Sequence, residues 1–145
     1  MALWKQQATL DVVNGWSPNT MIAHLGIRIT DIGDDYLRGT MPVDARTKQP
    51  FGLLHGGASV ALAESLGSLA GTLCLETSEM AVGLDINANH VRAVTEGIVT
   101  GTARALHLGR NTQVWEIRIE DERGKLVCIS RLTLAILPRQ TPRAV

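Results

Sequence analysis

The residues best suited to chemistry lie in one short stretch, residues 49–68, with the sequence QPFGLLHGGASVALAESLGS. A loop containing proline and glycine passes through His55, Gly56 and Gly57 directly into a segment of helical character. Two adjacent glycines at a helix start let a ligand approach the backbone, and unpaired N–H groups there can receive developing negative charge. The stretch is therefore a candidate site for acyl chemistry.

Glu64 interrupts an otherwise Ala/Val/Leu/Ser-rich run. A helical glutamate is often simply solvated, but the apolar neighbours of position 64 leave little polar surface on this helix. We therefore expect Glu64 to face a cavity or an interface. Ser68 follows one turn later on the same face, where its hydroxyl can hold a water or a substrate oxygen, or can serve only as a small packing residue.

Two further polar residues, Gln49 and His55, flank the loop without an obvious role in a core. Gln49 is either solvated or part of the site. His55 either organises the loop by hydrogen bonding or transfers protons. The two roles stay open because no carboxylate that could pair with a proton-transferring histidine lies at an obvious spacing. No metal site is predicted, since no short ligand spacing occurs among the histidines, which are His24, His55, His90 and His107.

The spacing of Gly56 and Glu64 bears on assembly. They are eight residues apart, which is about 12 Å along a regular helix. One carbonyl cannot meet both groups if the Gly56 N–H stabilises an oxyanion at about 3 Å. The spacing predicts an obligatory homodimer with paired helices and shared active sites, unless residues 55–57 are not regular helix and the distance is different.

Length and composition favour one soluble domain. A chain of 145 residues with a net charge of zero can bury a real core, and it has no overall basic field for nucleic acid. We expect a single domain over residues 1–138 and a flexible tail over residues 139–145.

Cys74 and Cys128 lie in apolar segments without ligand spacing, so we expect buried, reduced thiols. No secretory leader or membrane-spanning run is found, which predicts a cytoplasmic protein without membrane contact.

The pattern of elements predicts an α+β fold. Ser17 and Pro18 are typical of a helix start, and Gly26 of its end. The other expected elements are a short helix at 10–14, a strand–turn–strand at 27–41, a loop at 44–53, one long helix at 54–76, and strands at 81–91, 97–106, 112–120 and 126–137. Short links between these strands, including Glu96-Gly97, favour an antiparallel sheet. Small residues at positions 63, 67 and 71 would let the sheet wrap closely around the long helix.

Over nearly its full length the chain resembles hotdog-fold acyl-CoA thioesterases of the 4-hydroxybenzoyl-CoA thioesterase-like group. The resemblance rests on MPVDARTKQPFGLLHGGASVALAESLGS, which is specific, and on GLDINANHVRA, LHLGR and QVWEIRIEDERGKLVC, which would be weak alone. It implies a curved antiparallel sheet around one long helix, and dimers that commonly form tetramers. It also implies thioester hydrolysis without a metal or an organic cofactor.

The resemblance implies a role for five residues. Glu64 corresponds to the catalytic carboxylate, as nucleophile or as general base on water. Gly56 corresponds to the backbone donor that polarises the thioester carbonyl at the positive end of the helix dipole. Gln49 and His55 correspond to residues near that carbonyl, and Ser68 to a hydroxyl that positions water.

The resemblance also implies where the two halves of the substrate bind. The expected CoA path comprises Gly83, His90, Val91, Arg92, Ala93, His107, Leu108, Gly109, Arg110 and Asn111. Arg92, Arg104 and Arg110 can meet phosphates or can simply be solvated. The candidate walls of the acyl pocket are Met21, Ile22, Leu25 and Phe51, which are equally compatible with the core.

The expected function is hydrolysis of aromatic or bulky acyl-CoA thioesters. The leading named substrate is 1,4-dihydroxy-2-naphthoyl-CoA, an intermediate of menaquinone biosynthesis. Three alternatives remain open: a proofreading thioesterase that acts on an aryl group held by an acyl carrier protein, a hotdog dehydratase, and a non-catalytic acyl-CoA binding module. A buried carboxylate at position 64 argues against simple binding, because an uncharged acyl group gains nothing from it.

Overall fold

The structure, a computed structural model, describes residues 1–140. Its helices are α1 (Leu10–Gly15), α2 (Met21–His24) and α3 (Gly56–Leu73). Its strands are β1 (Arg28–Ile32), β2 (Tyr36–Pro42), β3 (Glu79–His90), β4 (Ile98–Leu108), β5 (Thr112–Glu120) and β6 (Leu126–Pro138). No helix within the described range is long and apolar enough to cross a membrane.

All six strands form one antiparallel sheet in the order β1-β2-β4-β5-β6-β3, which packs around α3. The α+β hotdog prediction is confirmed. The domain boundary stays a prediction: residues 141–145 of the expected tail lie outside the described residues. Before them, the Arg139 N–H donates to the Ser78 carbonyl at 2.8 Å.

The predicted helix start at Ser17 and Pro18 is wrong. Asn19 has a left-handed backbone (φ 62°), a conformation that asparagine tolerates and that a right-handed helix excludes. Instead, α2 begins after Thr20, whose backbone is extended (φ −122°, ψ 169°). The predicted end is confirmed, because Gly26 follows α2 with a φ of 72°, as expected for a glycine that ends a helix.

The expected hairpin at Glu96-Gly97 is also wrong. β3 pairs with β6 at one edge of the sheet, whereas β4 lies between β2 and β5. Residues 91–97 therefore carry the chain from the sheet edge to an inner position. Hydrogen bonds hold this crossing: Leu54 donates to Val94 at 2.7 Å, and Val43 donates to Gly97 at 2.8 Å.

The small residues of α3 bring the helix close to the sheet, as predicted. A Cβ added at Gly67 would lie 2.6 Å from the Leu132 Cδ2, and one at Gly71 would lie 2.5 Å from the Leu134 Cδ1. Both distances are too short for real side-chain contacts, so these positions exclude a methyl group unless the core shifts. Ala63 on the same face is fully buried.

The two edges of the sheet differ. At the β1 edge, the Asn14 side chain donates to the Ile29 carbonyl and accepts from the Ile29 N–H, both at 2.9 Å. This amide therefore occupies the place of a neighbouring strand. The opposite edge is β3, which is 12 residues long and has no strand on its outer side within residues 1–140. It exposes Leu84, whose relative exposure is 63%.

Candidate active site

The start of α3 has one backbone donor to offer a ligand. His55 caps the helix: its Nδ1 accepts from the Gly57 N–H at 2.8 Å, and its carbonyl accepts from Ala58 and Ser59. The Gly56 N–H has no acceptor within residues 1–140. Because the Nδ1 of His55 is an acceptor, the proton of the neutral ring resides on Nε2. The free Gly56 N–H lies at the positive end of an 18-residue helix.

Gln49 holds the loop that leads into this helix. Its side-chain Oε1 accepts from the Phe51 N–H. Its backbone N–H donates to the Leu53 carbonyl at 2.8 Å, and its carbonyl accepts from Gly52 at 2.9 Å. The loop is joined to the helix start because the His55 N–H donates to the Thr47 carbonyl at 2.8 Å. Since Oε1 is engaged, the NH2 group of Gln49 is the part of this amide that remains for a ligand.

Glu64 faces a cavity, as expected from its apolar neighbours. The cavity has a volume of about 310 Å³ and lies between α2 and α3. Its lining residues are Met21, Ile22, Ala61, Glu64, Ser65, Ser68, Leu69 and Thr72. A carboxylate, several hydroxyl groups and aliphatic side chains therefore share one space. This combination suits a ligand that carries a reacting polar group on an apolar body.

The structure brings together some of the predicted acyl-pocket residues. Met21 and Ile22 line the cavity with Glu64 and Ser68. Leu25 instead packs against the hydrophobic core. Phe51 is 89% exposed and does not line this cavity in the described part of the chain. Its role in acyl binding stays a prediction.

Two residues of the expected CoA path, Gly83 and His90, lie against Glu64 and Gly56. A Cβ added at Gly83 would overlap the Glu64 Oε1, so the carboxylate rests against the β3 backbone. A Cβ added at Gly56 would lie 2.8 Å from the His90 Nε2, so this ring covers the start of α3. β3 thus touches both residues: it meets Glu64 at Gly83, near the middle of the strand, and Gly56 at His90, its last residue.

The remaining residues of the expected path form two separate groups within one chain. Arg92 and Ala93 line a polar cavity with Asp121, Glu122 and Arg123. The loop at residues 107–111 lies at the other end of α3, where Leu108, Gly109 and Arg110 line a cavity together with Cys74 and Leu75. The helix between the two ends is about 27 Å long. Contact with CoA at any of these residues stays a prediction.

The position of Gly56 in α3 sets its distance from Glu64 along the helix. Gly56 is the first residue of α3, so the helical rise of about 12 Å between the two residues applies. Their neighbours on β3, His90 and Gly83, pair with Cys128 and Leu134 of β6, which are six residues apart, and this separation corresponds to about 20 Å. Within one chain, a single carbonyl cannot reach both groups.

Sequence reasoning missed Leu69 and three smaller cavity residues on α3, which are Ala61, Ser65 and Thr72. A signal for the three smaller residues was present. With Ser68 they follow a spacing of four, three and four residues, which places all of them on one side of a helix. They were not singled out because Ala, Ser and Thr on a helix are not by themselves unusual.

Burial affects the two free cysteines. It raises the pKa of the Cys74 thiol to about 11 and raises that of Cys128 as well. Residues 1–140 contain no group of three or more His, Cys, Asp or Glu side chains that could hold a metal ion. Catalysis without a metal or a cofactor stays a prediction.

Both cysteines are expected to be unreactive toward Ellman's reagent at pH 8 in the folded protein, because the reactive thiolate is scarce and buried. Unfolding in guanidinium should release both. Since the pKa of Cys74 is higher in the folded chain than its ordinary value of 9.0, the unfolded chain ionises first, and stability should fall as the pH rises from 9 to 11. Rapid labelling of a thiol in the native protein would contradict this.

Comparisons with known proteins identify the family of this chain. The family described as Thioesterase superfamily matches residues 51–128. The chain is 59% identical over 135 residues to the 1,4-dihydroxy-2-naphthoyl-CoA hydrolase of Escherichia coli, covering 93% of this chain and 99% of that protein. It is 56% identical over 135 residues to the proofreading thioesterase EntH of Cronobacter sakazakii, covering 93% and 98%.

The solved structures give the same result. The crystal structure of thioesterase HI1161 from Haemophilus influenzae has a TM-score of 0.94 and 54% sequence identity, covering 98% of this chain and 99% of that one. Since the match covers almost the whole chain, it extends over the sheet and over α2 and α3. This protein belongs to the thioesterase superfamily.

Proposed function

We propose that this thioesterase hydrolyses aromatic or bulky acyl-CoA thioesters to the free acid and CoA. The observation that carries the proposal is the cavity in which Glu64 and Ser68 meet the aliphatic residues Met21 and Ile22. The E. coli relative is named for 1,4-dihydroxy-2-naphthoyl-CoA, so this thioester is the leading candidate substrate.

The cavity supports a simple mechanism. Glu64 takes a proton from a water held by Ser68, and the resulting hydroxide attacks the thioester carbon; alternatively, the Glu64 carboxylate attacks directly and water then hydrolyses the anhydride. The carbonyl oxygen becomes negative and accepts a hydrogen bond from the free N–H of a Gly56 residue. The C–S bond breaks, and the CoA thiolate leaves and takes up a proton. Both routes give the same acid and the same thiol.

A second copy of this chain would complete the site. Glu64 rests against Gly83, and Gly56 rests against His90; with the bulge between Gly83 and Asp85 counted, the midpoint between the two contacts lies at Asn87 of β3, next to Ile86. Two copies of β3 paired antiparallel about that point would bring the partner subunit's Gly56 level with Glu64. Residues directly opposite each other in such a pair share a face, so the two-fold axis passes through Ile86 or through Asn87.

This arrangement can be tested by cross-linking. Under mild oxidation, Ile86→Cys or Asn87→Cys protein should form a disulfide-linked dimer, because the residue on the axis lies within disulfide distance of its own copy. Glu79→Cys is the control, since its two copies would be about 50 Å apart. Absence of a covalent dimer from both central variants, on non-reducing gels, would overturn this pairing.

The reaction itself is tested by following thiol release from benzoyl-CoA and larger acyl-CoA thioesters. The protein should release CoA from aromatic members of the panel. A dehydratase or a binding module would release none, so the absence of free thiol across the panel would refute the proposed activity. The two buried cysteines should add no background to this assay.

A carrier-protein thioester is the second candidate substrate, because the chain is also 56% identical to a proofreading thioesterase. Comparing one aryl group on CoA and on an acyl carrier protein decides between the two. A kcat/KM at least tenfold higher for the carrier-protein form would favour proofreading. Assembly into tetramers and a cytoplasmic location stay predictions.

A further inference from the structure

We propose that Thr72 selects acyl groups that carry a hydrogen-bond donor, such as a hydroxyl or an amino group, at the end remote from the thioester. This inference rests on the proposed thioesterase function and adds a specificity-determining residue to it. It starts from the position of Thr72 in the cavity that contains Glu64.

The shape of the cavity directs the acyl group toward Thr72. Along α3, the lining extends from Ala61, one turn before Glu64, to Thr72, two turns after it. The reacting carbon must lie near both Glu64 and Ser68, because one supplies the carboxylate and the other holds the water. The longer arm of the cavity therefore lies on the Thr72 side, and it is the arm that can hold a bulky acyl group.

The hydroxyl of Thr72 can only accept a hydrogen bond from a ligand. Its Oγ1 already donates to the Ser68 carbonyl at 2.9 Å. A threonine hydroxyl has one hydrogen and two lone pairs, so the lone pairs are what remains for the cavity. The Thr72 carbonyl also accepts from the Gln6 side chain at 2.9 Å, which ties this turn of the helix to the N-terminal segment.

Distance then limits the size of the acyl group. A reacting carbon placed between the levels of Glu64 and Ser68 lies about 9 Å along the helix from Thr72. A hydrogen bond to Oγ1 takes up about 2.8 Å, which leaves about 6 Å between the carbonyl carbon and the donor atom. One aromatic ring with a substituent opposite the carbonyl has about this length. Such a ring would place its donor at Thr72 and its apolar faces against Met21 and Ile22.

The test compares 4-hydroxybenzoyl-CoA with 4-fluorobenzoyl-CoA, which has a similar size but no donor. Thr72→Val removes the acceptor and keeps the branched shape, whereas Thr72→Ser keeps the acceptor. Electronic effects of the substituents are the same in every variant, so a change in the ratio of the two kcat/KM values reports the contact. We expect Thr72→Val to lower that ratio about tenfold and Thr72→Ser to retain it.

Thr100→Val is the matched control, because Thr100 lies half-buried on β4 and does not line this cavity; it should leave the ratio unchanged. An unchanged ratio in Thr72→Val would overturn the proposal. If that variant does not fold, equal binding of 4-hydroxybenzoate and 4-fluorobenzoate as product inhibitors of the unmodified protein would overturn it as well. Failure to hydrolyse any thioester would instead refute the proposed function, so the two outcomes are distinguishable.

Discussion

Glu64→Gln should lower kcat by roughly 10³-fold, because the amide keeps the size of the side chain but can neither take a proton nor attack a carbonyl. The fold should be unaffected, since the carboxylate lines a cavity and makes no hydrogen bond or ion pair within residues 1–140. Steady-state thiol release measures the loss, and thermal unfolding checks that the variant is folded.

Glu76→Gln is the matched control. Glu76 lies just beyond the end of α3 and pairs with Lys5 at 3.3 Å on the surface, with a side-chain exposure of 64%. Exposed ion pairs contribute little to stability, so this variant should be both folded and active. Near-normal turnover by Glu64→Gln would show that Glu64 does not take part in the catalytic step. Such a result would also contradict the proposed mechanism, because Glu64 is the group that activates water in this cavity.

Gly83→Ala should lower kcat/KM by about 10²-fold while the protein stays folded. The added methyl group would occupy the place of the Glu64 Oε1. The carboxylate is the mobile end of a flexible side chain, so it can move aside without disturbing the backbone. Displacement of a catalytic group by about 1 Å is enough for a loss of this size.

Gly15→Ala is the control for this substitution, because a Cβ there meets no atom within 4 Å. Gly83→Ala combined with Glu64→Asp adds a second test. The shorter carboxylate avoids the methyl group, so the alanine should cost less activity in the Glu64→Asp background than in the unmodified protein. Equal losses in both backgrounds would show that Gly83 acts by some route other than the position of the carboxylate.

Most of the fold was predictable because its elements carry local signals. Alternating side chains marked the strands, and a long Ala- and Leu-rich run without proline marked α3 despite its glycines. Ser17 and Pro18 misled because the decisive residue was Asn19, whose left-handed backbone is not evident from its type. The order of the strands was not predictable, since the short link at residues 91–97 suits a hairpin as well as the crossing that is observed.

The candidate site was predictable only where its residues share one element. Glu64 and Ser68 are one turn apart on α3, so helix periodicity placed them together. The contact between Glu64 and Gly83 joins a helix to a strand and depends on the packing of the whole sheet. The capping bond from Gly57 to His55 depends on the conformation of the preceding loop. Neither can be derived from spacing in the sequence.

The side chain of Asn14 has a consequence for how many copies can join. Strand pairing between identical molecules can continue without end if each molecule offers two open edges, and this is how fibrils grow. Here the amide of Asn14 fills the hydrogen-bonding positions of Ile29 at one edge. Within residues 1–140, β3 is the edge that remains to pair, and in the proposed dimer a two-fold pair of β3 strands uses up both copies. In that dimer, growth by edge pairing would therefore stop at two copies.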